Sequence, residues 1–143
     1  MNPDLMFSSA ANEWETPQDF FDVLNKKFNF TLDPCATKEN TKCAKYYTQV
    51  EDGLSQSWKG ETVFVNPPYG RQLGVWVRKC YEEGQQPNTT VVLLIPSRTD
   101  TRYFHSYILG KAEIVFLQGR LTFSKCENPA PFPSLLAIYQ KEV

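Results

Sequence analysis

Four consecutive residues, Asn66-Pro67-Pro68-Tyr69, follow the apolar run Thr62 to Val65 and set an amide, two rigid corners and an aromatic ring at the end of a strand. Pro67 and Pro68 have no N–H to give and hold φ near about −65°, so Val65 is expected to be the last ladder residue and Asn66 to be extended. The corner presents two acceptors, the Asn66 side-chain oxygen and the Pro67 carbonyl, beside the Tyr69 ring. A planar base with an exocyclic amine can donate to both acceptors while stacking on that ring. Its amine lone pair then points out of the ring plane, toward an electrophilic methyl held in line. Positioning and electrostatics would supply the catalysis with no covalent protein intermediate. The plain alternative is a strand-terminating turn.

Two more polar clusters close apolar runs: Asp33-Pro34-Cys35 and Pro96-Ser97-Arg98. Ligands of open α/β sheets bind beyond the carboxyl ends of the strands, so three such clusters on one rim favour a shared site over any single motif. Asp33 alone reads more readily as a turn cap, and Asp52, in EDGLSQSW, as half of an Asp-Gly turn pair. Arg98 and Arg120 have no obvious helical ion-pair partner, and with Arg71 they are candidates for phosphate contact. His105 lacks a partner at a spacing known for acid–base work. Trp14, Trp58 and Trp76 read as packing residues.

The elements that must carry these groups follow from periodicity. In ETPQDFFDVLNKKF, Thr16 can cap, Pro17 suits the first helical position, and Phe20, Phe21, Leu24 and Phe28 recur at helical spacing. Asn29 to Leu32 reads as a short buried strand broken at Asp33-Pro34, and AKYYTQ as a second. A helix is expected over Gln72 to Glu83, closed by Gly84 and Pro87. VVLLIP is the clearest buried strand, apolar enough for a parallel sheet covered on both faces. A helix near Thr101 to Leu109, strands near Glu113 to Leu117 and Leu135 to Tyr139, and the Pro-rich NPAPFPS loop complete an open α/β sheet.

A chain of 143 residues fits a single domain, with residues 1–11 a polar leader. At about this size roughly two-thirds of the unfolded surface is hidden on folding. Fifteen basic against sixteen acidic residues give a net charge of −1, so contact with nucleic acid must be local rather than the work of a global positive field. Neither a signal peptide nor an apolar run of about eighteen residues occurs, so a soluble cytoplasmic protein with no membrane partner is expected. Cys35, Cys43, Cys80 and Cys126 form no C-x-x-C pair, and beside a single histidine they are expected to be free thiols with no metal site.

The pieces EWETPQDFF, LDPCATKENTKC, EDGLSQSW, VFVNPPYG, LLIPSRTDTRYF and GRLTF lie between about Asn12 and Tyr139. Together they resemble the phage-type DNA N-6-adenine methyltransferases, S-adenosylmethionine-dependent amino-methyltransferases. The resemblance implies an open, doubly wound, mostly parallel Rossmann-like sheet with its last strand antiparallel. It also implies DNA as partner, the host cytoplasm as location, and S-adenosylmethionine as cofactor. By the same resemblance Thr16 and Pro17 touch the methionine part, Asp33 and Cys35 lie in the loop that cradles the cofactor, and Asp52 borders its adenine or ribose. Asn66, Pro67, Pro68 and Tyr69 form the amine and base site, with Asn66 also at the cofactor.

The sequence departs from the family pattern in two places. Pro34-Cys35-Ala36 stands where larger relatives have G-x-G, and only about thirty residues separate Asp33 from Asn66, which shortens the elements between. No separate target-recognition domain fits. Specificity would come from a loop such as Lys125 to Ser134, from a second subunit in a homodimer, or be slight. Two alternatives stay open: a methyltransferase acting on RNA or a protein glutamine, and a degenerate module that binds nucleic acid or cofactor without turnover. The intact Asn66 favours chemistry.

Overall fold

The computed structural model describes residues 14–141; the expected leader over residues 1–11 lies outside the described residues. The first helix, α1, runs Gln18–Phe28 and ends on Asn29 in the left-handed region. Thr16 does not cap it, and Pro17 is not its first helical residue. Pro17 is itself the extended cap residue, with its carbonyl accepting from Phe21 N–H, because the Thr16 hydroxyl is turned to another partner, Asn66.

After a 3₁₀ turn at Gly53–Ser55 come β1 (Thr62–Val65), α2 (Leu73–Glu83), β2 (Thr90–Pro96), α3 (Arg102–Tyr107), β3 (Glu113–Phe116) and β4 (Ser134–Gln140). Thr101 caps α3, its hydroxyl accepting from Phe104 N–H. The sheet order is β1-β2-β4-β3, with β1 parallel to β2 and β4 antiparallel to both its neighbours. Thus β1, β2 and β3 point one way and the last strand is reversed. Because β4 inserts between β2 and β3, only one of the three ladders is parallel, fewer than a mostly parallel sheet would have.

The two strands expected before β1 are reduced to single parallel bridges, Leu32 to Val63 and Asp33 to Tyr46. Both segments lie where strands would lie, beside β1 and beside each other. Pro34 removes a donor just after Asp33, and the N–H groups of Thr31 and Leu32 converge on one acceptor, the Thr62 carbonyl, so the ladder does not extend.

Alternation divides the sheet between two cores. Val63, Val65, Val91, Leu93, Ile95 and Tyr139 pack beneath α2 and α3 with Trp76, Val77, Cys80 and Phe104. Phe64, Val92, Leu94, Leu136 and Ile138 face Phe21 of α1, Phe123 and Ala130. This two-sided burial explains the unbroken apolar run of β2, since neither face of that strand meets water. At the end of α2, Gly84 lies so close to β4 that a Cβ there would come within 2.4 Å of Tyr139 Cβ.

Candidate active site

Beyond the carboxyl ends of β1 and the Leu32–Asp33 segment lies a cleft of about 600 Å³. Its walls are the 14–16 segment, the 33–42 loop, the 48–54 loop, the Asn66–Pro68 corner and the start of α2. Thr16, Asp33, Cys35, Asp52, Asn66 and Pro68 line it; Pro17, Pro67, Tyr69, Arg71, Arg98 and Arg120 do not.

The amide of Asn66 is oriented by two donations, to the Trp14 carbonyl at 2.6 Å and to Thr16 Oγ1 at 3.0 Å. A main-chain carbonyl only accepts, so the nitrogen must face Trp14 and Oδ1 the other way. Oδ1 is shielded from solvent and has no hydrogen-bond partner among the described residues. An acceptor left so costs roughly 1–3 kcal/mol until a donor reaches it.

Asp33 is buried, and its carboxylate accepts from the backbone N–H groups of Lys42 at 3.0 Å and Cys35 at 3.4 Å. Burial raises its pKa to about 6, against the opposing pull of those two donors and of the nearby Lys42 charge. Burial, and secondarily the Asp33 carboxyl, pushes the Cys35 thiol up to about 12, so at neutral pH it is a protonated, half-buried wall residue and no nucleophile. Cys43 and Cys80 are likewise free thiols raised by burial. Among the described residues no group of three or more His, Cys, Asp or Glu is placed to hold a metal ion. Nor is any helix there long and apolar enough to cross a membrane.

Asp52 takes a left-handed backbone and caps the 3₁₀ turn through Leu54 N–H. Beside it Gly53 makes a contact that composition does not reveal: a Cβ there would stand 2.1 Å from the Pro34 carbonyl oxygen. The Gly53 carbonyl accepts from the indole N–H of the fully buried Trp58 at 3.0 Å. Trp58 in turn stacks near Trp76, a residue that lines the cleft. Gly53 and Trp76 were not among the expected site residues. The Asp-Gly pair was the available signal for the first, whereas the apolar helical spacing of Trp76 gave none.

Tyr69 turns inward. Its hydroxyl donates to the Leu94 carbonyl at 3.4 Å, and its ring meets Phe132 and Phe123 edge to face at 5.7 and 6.5 Å. Burial raises the phenol pKa, so it stays protonated. Arg71, Arg98 and Arg120 are exposed, and none is in an ion pair among the described residues. His105 shares a 2.8 Å hydrogen bond with the Thr99 carbonyl.

Residues 6–134 match the family described as DNA N-6-adenine-methyltransferase (Dam). The DNA N-6-adenine-methyltransferase of Escherichia phage T1 is 32% identical over 111 residues, covering 76% of this chain and 46% of that protein. That of Haemophilus phage HP1 (strain HP1c1) is 32% identical over 123 residues, 84% of this chain and 70% of its own length. The chain therefore spans under half the length of the first relative and somewhat over two-thirds of the second. With the match running through the cleft, the Asn66 corner and the strands behind them, the chain belongs to the DNA N-6-adenine-methyltransferase family.

Proposed function

We propose that this chain transfers a methyl group from S-adenosylmethionine to the exocyclic N-6 amine of adenine in DNA. The observation that carries the reading is the Asn66 amide, whose nitrogen is spent on Trp14 and Thr16 while Oδ1 stands buried and unpartnered in a residue that lines the cleft. An amine donating to Oδ1 and to the Pro67 carbonyl would satisfy that orphan. Its lone pair would then be oriented for attack, with positive charge developing on the nitrogen beside two oxygen dipoles.

The residues present fit the cofactor. The cleft volume falls in the range of about 300–1,000 Å³ that small-molecule sites occupy. Asp33 offers a buried acid to a cationic ligand, Lys38 and Lys42 offer charge to a carboxylate, and Leu54 and Trp76 offer apolar wall. S-adenosylmethionine would supply the electrophilic methyl, with Asp33, Cys35 and Asp52 placed on the cleft wall to hold it. The Tyr69 ring, packed on Phe123 and Phe132 outside the cleft lining, would have to swing outward to stack on an extruded base. The bridged segments at Tyr46 and Asp33, followed by β1-β2-β4-β3, support reading the whole as a reduced, doubly wound Rossmann-like methyltransferase sheet.

The test is transfer of a labelled methyl from S-adenosylmethionine to DNA, RNA and protein acceptors, followed by digestion and identification of the product. N-6-methyladenine from DNA is expected, with Asn66→Ala at least about a hundredfold slower at near-normal cofactor affinity, as for an interaction made chiefly in the transition state. Label recovered in RNA or glutamine would replace the acceptor, and cofactor binding without any product would replace the enzyme with a binding module.

A further inference from the structure

The Asn66 amide is held by a segment about fifty residues earlier in the chain, and that segment is itself fixed in place. Trp14 packs edge to face on Phe123 and Phe132 at 5.4 and 5.0 Å. The Glu15 carbonyl accepts from Ser124 N–H at 2.9 Å, and the Thr16 carbonyl from Ser124 Oγ at 3.2 Å. Thr16 is 3% exposed, yet it lines the cleft and its Oγ1 accepts from Asn66 Nδ2.

We propose that Thr16 is a positioning residue for methyl transfer, its hydroxyl acting through Asn66 to keep Oδ1 presented to the acceptor amine. This rests on the methyltransferase reading of the Asn66 corner. The Trp14 carbonyl engages one Nδ2 hydrogen, and the Thr16 hydroxyl engages the other. With both hydrogens held, rotation of the amide about its last side-chain bond would break two hydrogen bonds and bring Oδ1 against the Trp14 carbonyl, oxygen to oxygen.

Thr16→Val keeps the branched shape and removes the acceptor; Thr16→Ser keeps the acceptor and removes a methyl. Three quantities separate the roles: the single-turnover methylation rate of adenine-containing DNA at saturating cofactor, the calorimetric cofactor affinity, and solvent exchange of the Asn66 Nδ2 hydrogens by NMR in the free protein. For Thr16→Val the expected results are a rate at least about tenfold lower, affinity within about threefold of wild type, and faster amide exchange, with Thr16→Ser near wild type in all three. Thr16→Ala serves the same comparison if valine is not accommodated. An unchanged rate at saturating cofactor in a folded variant, or unchanged Asn66 exchange, would overturn the proposal. If the wild-type protein methylates no acceptor, the functional reading fails on its own, and the exchange comparison still decides whether Thr16 orients the amide.

Discussion

Asp33 shows how one buried side chain couples proton, fold and ligand. Its carboxyl has a pKa near 3.8 when free in solution and about 6 in the fold, because burial penalises the charge more than two backbone donors relieve it. The folded state thus binds this proton more tightly than the unfolded chain does. The stabilisation from Asp33 is complete below about pH 4 and is lost as pH rises through about 6, a change on the order of 3 kcal/mol. A cationic cofactor favours the ionised form, so binding below about pH 6 should release a proton and weaken with acid, then level off above that pH. Calorimetry at about pH 5 and about pH 7, in buffers of differing ionisation enthalpy, measures both effects. Asp33→Asn should bind at least about tenfold more weakly at neutral pH and lose this dependence; an unchanged affinity would leave Asp33 only a turn residue.

At the scale of elements, two loops with no regular structure in common make most of the cleft wall, and they are locked together by a backbone contact. The Pro34 carbonyl occupies the space where any side chain on Gly53 would begin. Trp58, buried beneath, holds the Gly53 carbonyl from below, and its own backbone N–H donates to Glu83 at the end of α2. Lys79 of α2 sits 5.3 Å from the Trp58 ring and donates to the Gln56 carbonyl at 2.6 Å. The 48–58 segment is therefore referenced to α2, and through Gly53 the Asp33 loop is referenced to both. Gly53→Ala should push these loops apart, costing roughly 1–3 kcal/mol as an overpacked site does. Cofactor affinity should fall by about tenfold or more, because Asp33, Cys35 and Asp52 move with the backbone. Thermal melts and cofactor titration of the variant check both; wild-type affinity with wild-type stability would mean the contact is easily relaxed.

Across the whole molecule, strand direction decides which loops share a rim. Because β1, β2 and β3 are co-oriented, the segments that follow them, carrying Arg71, Arg98 and Arg120, emerge from the same end of the sheet as Asn66 and Asp33. With strands about 4.8 Å apart, the rim from β1 to β3 spans roughly 15 Å, enough to follow several phosphates. A chain of net charge −1 has no global positive field to add to these contacts. The slope of log affinity for duplex DNA against log salt should therefore be shallow, about −3 for three phosphate contacts, and each Arg→Ala should reduce it by about one. A slope near −8 would require a much larger basic surface, such as a second subunit would complete.

Much of this arrangement is written locally in the chain. The Pro-Pro pair ends β1 wherever it sits, the unbroken apolar run of β2 can only be buried on both faces, and Asp52-Gly53 turns by its own backbone preferences. Those features depend on a few adjacent residues, so sequence alone places the strand ends and the polar clusters on them. The partners of those clusters are not local. Which atom of Asn66 remains unpartnered depends on Trp14 and Thr16, 52 and 50 residues away, and a hydroxyl that could have capped α1 goes to that amide instead. The inward turn of Tyr69 depends on Leu94, Phe123 and Phe132, and the shrinkage of two strands to single bridges depends on the Thr62 carbonyl accepting from both Thr31 and Leu32. Polar groups in a cleft choose among several partners of similar strength, and only the packed tertiary structure, by burying some and excluding water from the rest, decides which choice is made.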